Sequence, residues 1–281
     1  MFEIVRKKEL NPSVTLMEIK APLVAKKAEP GQFIIFRIDE KGERIPLTIA
    51  DFDRENGTVT IIFQKVGKST IQLGNLNEGD KILDFVGPLG VASHLEGYKK
   101  VAVIGGGLGT AIAYPQAKKL FGLGCEVHTI VGFRNKDLII LEDEVKKVST
   151  KAVIATDDGS NGNKGFVTQM LENLINEGNS YDLVIAIGPL RMMQAVCDVT
   201  KKHNIKTIVS MNPVMIDGTG MCGGCRVTVG GETKFACVDG PDFDGHLVDF
   251  EGAIKRQEMY KNEEKTSREK HECKMGRDLH A

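Results

Sequence analysis

Residues 101–110 read Val101-Ala102-Val103-Ile104-Gly105-Gly106-Gly107-Leu108-Gly109-Thr110, four apolar residues running directly into a glycine-rich turn. A short, continuous apolar run ending in glycine reads as a strand buried on both faces, and the stretch after Thr110 reads as a helix through Leu120. In open α/β sheets a strand, a glycine loop and a helix in succession receive a diphosphate, because the amides of the helix N-terminus and its aligned peptide dipoles favour negative charge. Position 110 is Thr, so the third glycine of Gly-x-Gly-x-x-Gly is missing and a turn needed only for packing stays open as the alternative. Residues 127–131, 151–155 and 183–187 repeat the buried-strand signal with helical stretches between, which predicts a doubly wound parallel sheet over residues 99–212.

Upstream the pattern is different. Residues 14–20, 33–38, 59–66 and 81–85 are rich in β-branched and aromatic side chains, and the turn signals Pro30-Gly31, Asn56-Gly57 and Glu78-Gly79-Asp80 separate them. This predicts a small antiparallel β-barrel over residues 1–98, with residues 69–76 as its only helical stretch. Two segments stand out there, Arg44-Ile45-Pro46-Leu47-Thr48 and Val66-Gly67-Lys68-Ser69-Thr70. The second closes a strand and opens the helix, so its amides and hydroxyls suit another diphosphate; a plain N-cap role for Ser69 is the alternative.

Downstream, Asp217, Cys222, Cys225 and Cys237 form Asp-x4-Cys-x2-Cys-x11-Cys among Gly218, Gly220, Gly223 and Gly224. The first two spacings match the plant-type ferredoxin run, with a carboxylate in the leading position. Cys-x2-Cys is also a zinc half-site, but structural zinc usually takes only Cys and His, so an iron–sulfur cluster is preferred. Arg226 to Ala236, with Gly230-Gly231 in the middle, predicts a tight hairpin that returns Cys237 to Cys222 and Cys225. Cys125 and Cys197 sit in apolar surroundings and are read as small core residues; Cys273 lies in a charged tail, and none of the three is assigned to the metal.

The chain has 281 residues, 41% hydrophobic and 27% charged, with a net charge of −1. That length allows more than one core, and a charge so near zero gives no field for nucleic acid or anionic lipid. The N-terminal residues show no charged, apolar leader, and no run of about 18 apolar residues occurs, so a cytoplasmic protein with reduced thiols is expected. Residues 251–281 hold eight Lys/Arg and seven Asp/Glu in mixed order, which reads as a solvated helix, a frayed tail or a clamp on a companion chain. Residues 239–246, Asp-Gly-Pro-Asp-Phe-Asp-Gly-His, read as a solvated acidic turn or, with Met221, as a face toward a partner.

Taken in order, these motifs resemble the ferredoxin-NADP reductase-like flavoproteins over residues 1 to about 250. Within that group they resemble the iron–sulfur electron-transfer subunits of bacterial dihydroorotate dehydrogenase and, through Asp217 in place of a first cysteine, the small subunits of NADH-dependent reduced ferredoxin:NADP oxidoreductases, which are electron-bifurcating, and of sulfide dehydrogenase. The resemblance implies an FAD-binding barrel (1–98), an NAD-binding α/β domain (99–212), a [2Fe-2S] lobe (213–250) and a charged tail (251–281). Flavin contacts fall on Arg44, Pro46, Leu47, Thr48, Val66, Gly67, Ser69 and Thr70, with Arg44 one place earlier than the arginine of the usual flavin motif. Nicotinamide-nucleotide contacts fall on Gly105, Gly107, Gly109, Thr110, Phe133, Arg134, Asp157, Gly188, Pro189 and Met192, and the cluster on Asp217, Cys222, Cys225 and Cys237. Arg134 alone would favour a 2′-phosphate and hence NADP; the resemblance overrides it in favour of NAD(H). It further implies a larger iron–sulfur flavoprotein as partner, with ferredoxin and NADP reached through the complex. A flavin converts hydride to single electrons, so no side-chain acid or base is assigned.

Overall fold

A computed structural model of the chain describes residues 1–267. The first unit runs β1 (Phe2–Asn11), β2 (Val14–Lys20), α1 (Pro22–Lys27), β3 (Phe33–Arg37), β4 (Ile45–Asp53), β5 (Thr58–Gln64), α2 (Lys68–Asn75), β6 (Lys81–Ile82) and β7 (Asp84–Leu89). Its sheet order is β6-β1-β2-β5-β4-β3-β7, and every neighbouring pair is antiparallel. The two edge strands, β6 and β7, are separated along the chain by Leu83 alone, so the sheet must curl until its edges meet and forms a nearly closed barrel. Met17, Phe36, Phe63 and Phe85 fill it from alternate, inward-facing positions.

Two expectations for this unit need correction. Residues 69–76 are not its only helix: α1 begins with Pro22, whose fixed φ suits the first helical turn, and buries Val24 and Ala25. Six residues are too few for a helical period to show in the sequence. Residues 81–85, read as one strand, are split at Leu83 between opposite edges of the barrel.

The second unit alternates β8 (Lys100–Gly106), α3 (Gly109–Gly122), β9 (Glu126–Phe133), α4 (Glu142–Lys147), β10 (Lys151–Thr156), α5 (Val167–Asn176), β11 (Leu183–Ile187), α6 (Leu190–Lys202) and β12 (Thr207–Ser210). These strands are parallel in the order β10-β9-β8-β11-β12. The winding direction reverses between β8 and β11, which opens a crevice at their C-terminal ends.

The third unit carries the hairpin of β13 (Arg226–Val229) and β14 (Glu232–Phe235), turned by Gly230 and Gly231 at φ +60° and +82°. Two successive positive φ values are what a two-residue type I′ turn demands. The chain then makes β15 (Asp242–Asp244), which joins β12 antiparallel in the register Ser210↔Asp242, Val209↔Phe243 and Ile208↔Asp244. Residues 239–246 are therefore in large part stitched to the nucleotide sheet, which corrects their reading as a solvated turn or partner face. Helix α7 (Phe250–Gln257) follows, with the Asp249 carboxylate accepting the Gly252 N–H at 3.0 Å as its N-cap. Ala253 and Ile254 pack on the main core, so one face of the tail's first helix is docked while Glu251, Lys255 and Gln257 on its other side stay exposed. Residues 268–281 of the tail, with Cys273, lie outside the described residues. One contiguous core includes Phe33 of the barrel, Ile104 of the sheet, Cys237 of the lobe and Phe250; it joins all three units.

Candidate functional site

A cavity of about 1110 Å³ lies where barrel and sheet meet. From β4 it takes Pro46, Leu47 and Thr48; from the crevice of the sheet it takes Gly107, Gly109, Phe133, Arg134, Asp157, Gly188, Pro189 and Met192. Eleven of the eighteen residues assigned from the sequence to flavin or nucleotide thus converge on one chamber. Its volume slightly exceeds the roughly 300–1,000 Å³ of ordinary small-molecule sites.

The glycine loop is divided in its work. A Cβ at Gly109 would strike the Ile187 carbonyl and come within 2.8 Å of its carbon, so this glycine lets α3 press against the end of β11. Gly107 has φ +56° and nothing within 4 Å of a built Cβ, which leaves the loop open toward the cavity. Gly105 and Thr110 lie beneath the cavity wall: a Cβ on Gly105 would be 2.8 Å from Thr110 Cα, and the buried Thr110 Oγ1 has no hydrogen-bond partner.

Val66, Gly67, Ser69 and Thr70 also stand outside the wall, at the start of α2. Thr70 Oγ1 accepts the Gly67 and Val66 amides at 3.1 and 3.2 Å, and Ser69 Oγ donates to Glu43 at 2.6 Å. A Cβ on Gly67 would meet open space, so the helix entrance remains approachable by a phosphate. Arg44 faces the third unit: its Nε donates to the Ile216 carbonyl at 2.9 Å and its Nη2 to the Asp217 carbonyl at 3.4 Å. Its guanidinium is therefore engaged by the cysteine loop and does not line the cavity.

In that loop the hairpin register brings Cys225 opposite the end of β14, where the Ala236 N–H donates to the Cys225 carbonyl at 3.1 Å. The buried Cys225 thiol donates to Cys237 Sγ at 3.2 Å, and no disulfide joins the two. Burial first, and then the neighbouring Cys225, push the Cys237 thiol up to about 12. Cys222 is exposed, and the Gly224 amide points at its sulfur from 3.5 Å. Asp217 accepts the amides of Thr219, Met221 and Cys222 at 3.0, 3.0 and 2.9 Å, and these bonds, Thr219 foremost, hold its carboxyl down at about 2. Among the described residues no three Cys, His, Asp or Glu side chains converge as they stand. The donor set is nonetheless suited to iron: one carboxylate ionised at any working pH, two adjacent buried thiols, an exposed third, and an amide already directed at a sulfur. Cys125 and Cys197 are buried elsewhere, as expected of core residues, and burial pushes the Cys197 thiol up to about 12.

Several wall residues were missed in the sequence. Ser210 ends β12 and Met211 and Asn212 follow it, and the rule that ligands gather at such strand ends could have found them. Asn11, Ser13 and Gln64 come from the barrel, and Ile254, Gln257 and Glu258 from α7 and its end, with no local signal in the sequence. Behind the wall, the Asp242 carboxylate accepts from Ser93 at 2.5 Å and from Gln116 at 3.4 Å, joining loop, helix and lobe. The residue keeps some exposed surface, but Asp242 Oδ1 and Gln116 Oε1 are buried and unpartnered, and burial pushes this carboxyl above its usual range.

Residues 212–249 match the family model for the iron–sulfur cluster binding domain of dihydroorotate dehydrogenase B. A homolog of the dihydroorotate dehydrogenase B (NAD(+)) electron transfer subunit from Thermotoga maritima is 46% identical over 95% of this chain and 94% of its own. The dihydroorotate dehydrogenase B electron transfer subunit of Streptococcus mutans is 34% identical over 87% of this chain and 96% of its own. Among solved structures, a chain of an NADH-dependent reduced ferredoxin-NADP oxidoreductase, described in work on flavin-based electron bifurcation, superposes with a TM-score of 0.91 at 45% identity, covering 96% of this chain and 97% of that one.

Proposed function

This chain belongs to the family of dihydroorotate dehydrogenase B electron-transfer subunits and their homologues, and from that premise we propose that it passes electrons between NAD(H), FAD and a [2Fe-2S] cluster within a flavin-based, electron-bifurcating ferredoxin:NADP oxidoreductase complex. The observation that carries the reading is the single chamber of about 1110 Å³ walled by both barrel and nucleotide sheet, with the cysteine loop tied to the barrel beside it. Bound together, the three groups would turn the electron pair of a hydride into single electrons. The chain's own residues bind and orient. Pro46, Leu47 and Thr48 would wall the flavin; the amides entering α2 would meet its diphosphate. Gly107 and the start of α3 would take the nicotinamide diphosphate, with Gly188, Pro189 and Met192 opposite. Asp217, Cys222, Cys225 and Cys237 would hold the cluster once Asp217 releases part of its amide bonding.

The chain is a subunit of an oxidoreductase, and its relatives are electron-transfer subunits, so it works beside a partner chain. Met221 is 88% exposed next to exposed Cys222, which supports placing that partner, a larger iron–sulfur flavoprotein, against the cluster loop. Among the described residues no helix is long and apolar enough to cross a membrane. A second reading, the electron-input subunit of a dihydroorotate dehydrogenase, is favoured by the family model over residues 212–249. Asp217 in place of a first cysteine favours the bifurcating complex. Anaerobic purification of the native complex separates the two. A large iron–sulfur flavoprotein as companion, with flavin and cluster signals bleached by NADH, is the expected result; a companion dihydroorotate dehydrogenase overturns it.

A further inference from the structure

Two arginines from opposite sides hold the backbone of the cysteine loop. From the residue before β4, Arg44 Nε donates to the Ile216 carbonyl at 2.9 Å and Nη2 to the Asp217 carbonyl at 3.4 Å. From α7, Arg256 Nη2 donates to the Gly224 carbonyl at 3.2 Å, between Cys222 and Cys225. Both arginines are half-buried. In a planar trans peptide a carbonyl drawn one way turns the next amide the other way, so these contacts fix the direction of the amides of Gly218 and Cys225 at either end of the loop. The three amides satisfied by Asp217 order the segment between. A third guanidinium, Arg226, runs alongside Gly223, since a Cβ there would lie 3.2 Å from its Nη1. Asp239, two residues beyond Cys237, spends one carboxylate oxygen on the Phe235 amide at 2.7 Å.

We infer that Arg44 and Arg256 are positioning residues of the cluster: they clamp its loop between barrel and C-terminal helix, and their charge raises the potential at which the cluster accepts an electron. The inference rests on the iron–sulfur reading. Each electron accepted makes a centre ligated by four anionic groups more negative, and fixed cations near its backbone favour the reduced form. Only arginine supplies two donors in one plane to adjacent carbonyls, as Arg44 does; a lysine would keep charge and lose that geometry.

The test is a redox titration of the reconstituted complex, followed by paramagnetic resonance, for wild type, Arg44→Gln, Arg256→Gln, Arg44→Lys and Arg256→Lys. Both glutamine variants are expected to retain FAD, to show a cluster potential shifted negative and to show an altered spectral line shape. The lysine variants are expected to recover most of the potential but not the line shape. Wild-type potentials and spectra in both glutamine variants overturn the inference. So does loss of FAD from Arg44→Gln with the cluster unchanged, which would return Arg44 to the flavin. Should Arg44→Gln fail to fold, Arg256→Gln on a separate element carries the same readout. A wild-type complex without a cluster would refute the iron–sulfur reading itself and this inference with it.

Discussion

Gly109→Ala probes the contact on which the nucleotide crevice is built. Gly109 opens α3, and a methyl group there would strike the Ile187 carbonyl, come 2.8 Å from Ile187 C and 2.9 Å from Gly188 Cα. All three neighbours are backbone, so relief requires α3 and the end of β11 to separate. Overpacking of this kind costs about 1–3 kcal/mol, and the better helix propensity of alanine returns at most about 1 kcal/mol. With that return subtracted in full the net loss reaches about 2 kcal/mol at most, a fall of up to roughly 8 °C in melting temperature at about 2–4 °C per kcal/mol. Gly122, at the other end of the same helix, has nothing within 4 Å of its built Cβ and no positive φ, so Gly122→Ala isolates propensity from crowding and is expected to hold or raise the melting temperature. Calorimetric unfolding of the FAD-loaded protein reads both, and NADH titration should show weaker binding in Gly109→Ala because Gly188 lines the cavity. A Gly109→Ala protein that melts at or above wild type, with Gly122→Ala behaving as stated, would refute the close strand–helix packing.

Three further outcomes are expected. Cys222→Ser, Cys225→Ser and Cys237→Ser should each lower iron content, and full iron in all three by elemental analysis would remove them as ligands. Asp217→Cys should keep the cluster and shift its potential, because a thiolate is softer than a carboxylate and accepts the amides of Thr219, Met221 and Cys222 more weakly; an unchanged potential would exclude Asp217 as a ligand. Asp242→Asn should stabilise the protein at neutral and alkaline pH. Burial raises the Asp242 carboxyl above its usual 3.8, so its contribution is fully present below that value and is lost as pH rises through the raised one. The asparagine cannot ionise, and its amide could donate to the unpartnered Gln116 Oε1. Unfolding curves across pH should separate on the alkaline side and converge in acid; parallel curves would contradict a carboxyl raised by burial at Asp242.

Legibility in the sequence followed the range of the interactions involved. The strands at β2, β3, β5, β8 and β11 and the hairpin at Gly230-Gly231 follow from local apolar periodicity and from backbone conformations that glycine alone adopts readily. The convergence of Pro46–Thr48 with the loops after β8 and β11 was foreseeable, because strand ends at a winding reversal gather ligands wherever the fold is doubly wound. Arg44 was different. From sequence it stood one place away from a flavin motif, whereas in three dimensions its guanidinium answers two carbonyls 172 and 173 residues downstream.

The amino-acid order by itself therefore determined the classes of structure and chemistry: an antiparallel barrel, a doubly wound sheet, and three thiols with a carboxylate at cluster spacing. All of these depend on neighbours within a turn or a strand. The tertiary structure alone decided that β15 leaves the cysteine lobe to extend the nucleotide sheet, that α7 walls the cavity with Ile254 and reaches the cysteine loop with Arg256, and that Asp242 is buried among groups from three elements. Those contacts join residues far apart along the chain, and their free energy comes from shared burial and hydrogen-bond satisfaction, which no local pattern of residues encodes.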